Sequence, residues 1–335
     1  MLMKRLFIVC LGLLGAPAWG AGFQVRTMRD TLPTREVERT LVIGKGWLEL
    51  GLVSEIKNAE GYWDADGKAQ DFDDANWLYT TQKAAIRYGL TRRSELFWTI
   101  PTHYVRLSNA SLRTDTREFG IGDPVFGYAH ELFRSTAPTT SVVARTWYKA
   151  PAGNESPGNY VGGPNTLSSI VMTTGTPDLA GSLEAKRQIG PLAVEVGVGY
   201  VHRIPRVVMY LIETENHQFQ ARIKPGDLVV YEGDVMLQVG PAALHTGAKI
   251  TQRGETLIGT ASPGLFADKN LDPVTGSDGT AVDVTSGILF NITRGVDLGL
   301  DISVPMKGED LQFFPIEDIH PTRGTTYTTA LELRY

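Results

Sequence analysis

The chain has 335 residues, with 32 basic against 37 acidic side chains and a formal net charge of −5. That balance offers no basic patch for nucleic acid. The one cysteine, Cys10, lies near the start, which excludes a disulfide framework.

Residues 1–20 read as a secretory leader. Lys4 and Arg5 form a basic n-region, Leu6 to Leu14 a short apolar core, and Ala18 and Gly20 place small residues ahead of a cleavage site before Ala21. Without Lys4 and Arg5, 30 bases face 37 acids, a net charge near −7. Beyond the leader no run reaches the roughly 20 apolar residues of a spanning helix. Residues 21–44 are mixed and charged around Pro33. They read either as a periplasmic arm folding back into the body of the protein or as a disordered linker.

From residue 45 onward the pattern changes to strict alternation. Leu48, Leu50, Leu52 and Ile56 share one face, and Trp47, Glu49, Gly51 and Glu55 share the other. Successive side chains of a strand point to opposite faces, so one face is apolar and the other polar. Residues 77–89 and 95–105 predict a hairpin about Thr91–Arg93, and a segment over 118–132 pairs with 140–149. Segments 178–189 and 192–203 meet at Gly190-Pro191, and 227–239 and 242–252 at Gly240-Pro241. Residues 281–292 and 296–305 meet at Arg294-Gly295, and 324–335 completes a set of twelve. Residues 118–132 carry apolar side chains on both parities with Pro124 among them, and 166–177 read equally as strand or loop. The count therefore spans about ten to fourteen.

Short turns alternate with long connections at 57–76, 106–117, 150–177, 204–226, 253–280 and 306–323. Short periplasmic turns opposite long external loops, with segments of about ten residues, are the signature of a bacterial transmembrane barrel. The fold class is thus all-β, an antiparallel transmembrane β-barrel over 45–335. Leu192, Val194, Val196, Val198 and Tyr200 would meet lipid, as would Val229, Tyr231, Val235, Leu237 and Val239. Leu244, Ile250, Val284, Phe290, Tyr327, Leu331 and Leu333 follow the same parity. Tyr335, as the last residue of an alternating strand, is similar to the C-terminal aromatic signal read by the barrel-assembly machinery.

The stretch IRYGLTRRSELFWTIPTHY (86–104), GKGWLELG (44–51) before it and the second copy LFNITRGVDLGLDISVP (289–305) resemble the meta-pathway phenol-degradation family of outer-membrane proteins. The resemblance covers about two hairpins. It implies an outer-membrane transporter, and the family's name suggests aromatic compounds; no residue here shows an aromatic ligand.

Inward parity collects both signs of charge: Lys83, Arg87, Arg145, Lys149, Lys186 and Lys249 against Glu184, Glu195, Glu232, Asp234, Asp283, Asp297 and Asp301, with His245 among them. These are the candidate lumen-lining residues, read either as charge rings that tune passage of a small solute or as salt bridges plugging a narrow barrel. An enzyme acting on lipid would need a serine–histidine pair aimed outward, and no G-x-S-x-G or H-E-x-x-H motif is present. A soluble periplasmic β-sandwich binding module is the remaining class. Asp268, Asn270 and Asp272 alternate as hard-cation ligands do, but Pro273 follows where a calcium loop needs glycine, so no metal and no cofactor is assigned. The expected partners are outer-membrane lipid, the assembly machinery and a small solute.

Overall fold

The computed structural model describes residues 35–335 except 64–66, 73–74, 110–113, 137–138, 152–175, 213–216, 261–270, 274–276, 294 and 309–321. Twelve long strands carry the architecture: β1 (Leu48–Ala59), β2 (Ala75–Gly89), β3 (Ser94–Asn109), β4 (Val125–Thr136), β5 (Thr139–Lys149) and β6 (Asp178–Ile189). They continue as β7 (Leu192–Arg203), β8 (Leu228–Val239), β9 (Ala242–Arg253), β10 (Gly279–Thr293), β11 (Val296–Lys307) and β12 (Thr326–Arg334). Each pairs antiparallel with its sequence neighbours. The first strand also pairs with the last, Leu50 opposite Leu333 and Leu52 opposite Leu331, so the sheet closes on itself.

Closure satisfies the backbone all the way round, which is what hydrocarbon demands of a spanning structure. The alternation then does the rest. Leu52, Val196, Leu183, Leu237, Leu300 and Tyr327 are exposed on the outer wall, while Glu49, Glu95, Ala193, Ala243 and Asp297 on the opposite parity are buried. Large apolar side chains outside and buried charges inside invert the plan of a soluble sandwich. This is a membrane-spanning barrel. Tyr88, Tyr200, Tyr231, Tyr327 and Tyr335 all stand exposed near strand ends, where amphipathic rings sit at the headgroup level.

The two glycine-proline turns fit the twist of their hairpins. Gly190 and Gly240 have φ of 62° and 60°, each followed by a proline whose φ is negative. Positive then negative φ is the type II′ pattern, which keeps flanking strands in register.

The segment read as 118–132 proves to be two. Thr114–Ile121 pairs with the far half of β3, from Thr102 to Asn109, whereas β4 begins at Val125 and pairs with the near half, from Ser94 to Thr99. Between them Gly122 donates its N–H to Pro101 O, and Pro124 accepts from Ala150 N. Proline has no N–H for a ladder, and Gly122 to Pro124 stand opposite only Ile100 and Pro101, so the pairing with β3 resumes one residue out of register. The clash of parities disappears: Phe119 and Ile121 face out in one piece, Phe126 and Tyr128 in the other. A bulge between Glu131 and Phe133 then turns both Leu132 and Phe133 outward.

Four connections expected to be loops also carry strands. Arg206–Ile212, His217–Lys224, Leu257–Thr260 and Asp272–Pro273 form one small sheet, and Gly61–Trp63, Ala69–Asp71 and Thr322–Arg323 form another. Trp77, near the start of β2, is buried with Ala59 and Val105 beneath Phe72 and Tyr79.

Residues 35–44, the described part of the segment read as arm or linker, pack against the strand wall. Glu36–Glu38 make a single 3-10 turn inside the barrel. Val37 is fully buried against Ala193, Met236 and Ala243, and Val42 against Ala129 and Val143. Alanine at three of those wall positions leaves the room these two valines fill. The leader and residues 21–34 lie outside the described residues.

Candidate solute pathway

The arm is held by an ionic belt at the end of the lumen where β1 begins and β12 ends. Asp297 on β11 accepts two hydrogen bonds from Arg39 of the arm, at 2.5 and 3.0 Å, and one from Arg334 on β12 at 3.2 Å. Arg334 also bonds to Glu49 on β1, and Glu49 accepts from Arg87 on β2 at 2.7 Å. Arg87 reaches Glu95 on β3 at 2.9 Å, and Arg145 on β5 reaches the same carboxylate at 2.8 Å. Glu95 is fully buried, so its charge depends on these two arginines and on the Ile43 N–H at 2.8 Å. An unpaired ion in such a place costs several kcal/mol, which the belt offsets by closing every charge on another. Burial in the lumen pushes the Glu36 carboxyl above its ordinary range, with Arg39 alongside opposing that rise.

The middle of the lumen is organised differently. The His245 ring on β9 lies between two carboxylates, Asp234 of β8 at 3.2 Å from Nδ1 and Asp301 of β11 at 2.8 Å from Nε2. The second bond crosses β10, and it can do so because β10 has glycine there. A Cβ on Gly287 would stand 1.9 Å from Asp301 Oδ1 and 2.5 Å from His245 Nε2. Lys186 meets Glu195 at 2.7 Å, Arg145 meets Glu184 at 2.8 Å, and Lys249 stands 3.6 Å from Glu232. Asp283 is the register partner of Lys249. Nearer the other end, Lys83 bonds to Glu55 at 2.8 Å and Lys149 to Asp178 at 2.7 Å. Of the fourteen residues picked out by parity, Arg87, Arg145 and Asp297 are bound into the belt, Glu184, Glu195, Glu232, Asp234 and Lys249 line a cavity, and His245 bridges Asp234 and Asp301.

Two cavities lie along the axis. One of about 460 Å³ surrounds the arm and is lined by Arg39, Leu41, Glu49, Arg87, Lys186, Glu195 and Arg334. The other, about 280 Å³, is lined by Leu41, Glu184, Glu195, Glu232, Asp234, Gly247 and Lys249.

Parity reasoning missed Glu95, although its alternation against Leu96 and Trp98 carries the same signal. Arg39 and Leu41 have no periodic context and left no such trace. The cation candidates Asp268 and Asn270 lie outside the described residues; Asp272 pairs through its backbone with Ile258. On the outer wall Ser94 Oγ lies 2.8 Å from His130 Nδ1 and accepts from Tyr128 OH at 3.0 Å. Among the described residues no carboxylate hydrogen-bonds to His130, so this pair lacks the third member of a catalytic triad.

On the far rim Asp227 gathers the Arg203 N–H at 2.9 Å, Lys224 Nζ at 2.9 Å and Tyr200 OH at 2.8 Å. Partial burial works against its charge, but these donors prevail and pull its pKa down to about 2.

No protein-family model matches the sequence, and neither does any curated protein. Among solved structures, the crystal structure of an outer membrane channel from Pseudomonas putida F1 superposes with a TM-score of 0.65 at 13% identity, over 88% of this chain and 97% of that one. The chain has the fold of an outer-membrane channel. The β domain of the Bordetella autotransporter BrkA follows at a TM-score of 0.46 and 9% identity, covering 87% of this chain and all of that one. A mutant of the TodX monoaromatic hydrocarbon channel stands at 0.46 and 8%, over 87% and 91%.

Proposed function

We propose that this barrel sits in the outer membrane of a diderm bacterium and passes a small polar solute through its charged lumen, with no chemical step. The observation that carries the reading is a closed, greasy-walled cylinder with two charged cavities along its axis. Fixed charges facing a water-filled path select what crosses it. Around the smaller cavity Glu184, Glu195, Glu232 and Asp234 are each matched by a basic side chain, Arg145, Lys186, Lys249 and His245, so both signs of charge line the path and suit a polar solute. The solved channel from Pseudomonas putida supports the same reading through its fold. An aromatic compound, as the sequence resemblance suggests, fits only where its ring carries a polar or charged group, because charged side chains line both cavities. A leader over 1–20 delivers the chain across the inner membrane, and the last strand, ending in Tyr335, is what the assembly machinery recognises.

The test is conductance of the purified protein in planar bilayers, with liposome swelling to rank solutes. Discrete current steps are expected, with Asp301→Asn and Lys249→Ala shifting reversal potential in opposite directions. A protein that inserts and resists denaturation yet passes neither ions nor solutes would remove this function.

A further inference from the structure

Leu41 of the arm and Glu195 of β7 line both lumen cavities, and among the described residues no other does so. The two cavities therefore adjoin at these side chains, and a route from one to the other runs past them. The backbone beneath Leu41 is strapped down: its carbonyl accepts from Arg87 at 2.9 Å and from Arg145 at 2.8 Å, from opposite sides of the arm in sequence terms, β2 and β5. One residue further, Val42 is buried among Ala129 and Val143, and the Ile43 N–H bonds to Glu95. Upstream, Arg39 is fastened to Asp297. Across the gap Glu195 is held by Lys186 at 2.7 Å. Fixed backbone on one side and a tethered carboxylate on the other leave a short passage with one apolar and one acidic lip.

Resting on the channel reading above, we infer that Leu41 and Glu195 form the bottleneck of the pathway and determine its specificity. Leu41 limits the size and hydration of what passes, as an apolar constriction does, and Glu195 sets the sign of charge that crosses. The limiting aperture therefore belongs to the arm, and the strand wall behind it is wider than the solutes that get through.

The one native cysteine is Cys10 in the leader. A Leu41→Cys chain in a Cys10→Ser background thus carries a single thiol. Single-channel current is recorded before and after adding a bulky cationic thiosulfonate reagent, and labelling is verified by mass. Current is expected to fall by roughly fivefold, the scale of a plugged constriction. Leu41→Gly is expected to raise conductance, and Glu195→Gln to move the reversal potential toward anions at similar conductance. Because one channel is read before and after the reagent, a folding defect cannot imitate block. If Leu41→Cys fails to insert, Leu41→Ala takes its place and must conduct more than the wild type. A labelled Leu41→Cys with unchanged current overturns the bottleneck while leaving the channel intact, and so does a thiol that stays unlabelled while current flows. Silence of both the wild type and Leu41→Gly overturns channel and bottleneck together.

Discussion

Asp297 connects the arm to the wall through its side chain. Its carboxylate accepts from Arg39, Arg334 and the Asn291 amide, and it is almost wholly buried. Removing one partner of a buried ion pair leaves the others uncompensated, a loss of about 3–5 kcal/mol. Asp297→Ala is therefore expected to lower the temperature at which the folded band converts on a gel, and Arg39→Ala in addition to recover part of that loss. Two losses that simply sum would show that the pair acts independently. At the opposite rim Asp227 makes stability depend on acid. Its pKa falls from 3.8 to about 2, so the donors around it stabilise the fold fully above the unfolded value. That contribution disappears as pH drops from near 3.8 through about 2. Hydrogen exchange at the Arg203 amide, which donates to Asp227, is expected to quicken across this window in the wild type and to lose that step in Asp227→Asn. A wild-type step centred above pH 5 would rule Asp227 out as its origin.

The strands themselves depend on where glycine stands. Gly287 lies under the His245–Asp301 bond, and an added methyl would collide with both partners. Gly233, on the adjoining wall, has nothing within 4 Å of where a Cβ would be. Gly287→Ala is expected to destabilise by about 1–3 kcal/mol, the range of a forced overpacking, while Gly233→Ala is neutral or slightly stabilising. Equal effects in a urea titration from detergent would mean that the lumen bridge contributes nothing. The same contrast explains what could be read from residue order alone. Strands β6 to β11 are long, two-faced and bounded by glycine turns, so alternation located them within two residues at each end. The region around Pro124 could not be read that way, because a strand whose register slips by one residue midway shows two parities in one run. The inner wall was legible residue by residue, since the two-residue period of a strand puts every second side chain inside. What escaped is whatever lacks a period. The arm is recognised by Ala129, Ala193 and Ala243, whose small size marks a socket only once the sheet is closed around it.

For the whole molecule, the outer wall is the surface that must match its solvent. Val196 lies mid-strand and well exposed on β7, whereas Val239 lies at the last position of β8 before the Gly240 turn. If the band between the tyrosine rims is the part that meets hydrocarbon, the penalty for a charge must depend on depth and not merely on exposure. Val196→Lys is expected to cost about 2–4 kcal/mol and Val239→Lys about 0–1, although both valines are similarly exposed. Reversible folding into lipid vesicles, followed by tryptophan fluorescence, separates the two. In water both substitutions would sit on an open surface and cost almost nothing, so equal small penalties would mean that this wall is not in contact with lipid. A gradient from centre to rim can arise only from a medium whose polarity changes along the barrel axis, and a bilayer is such a medium.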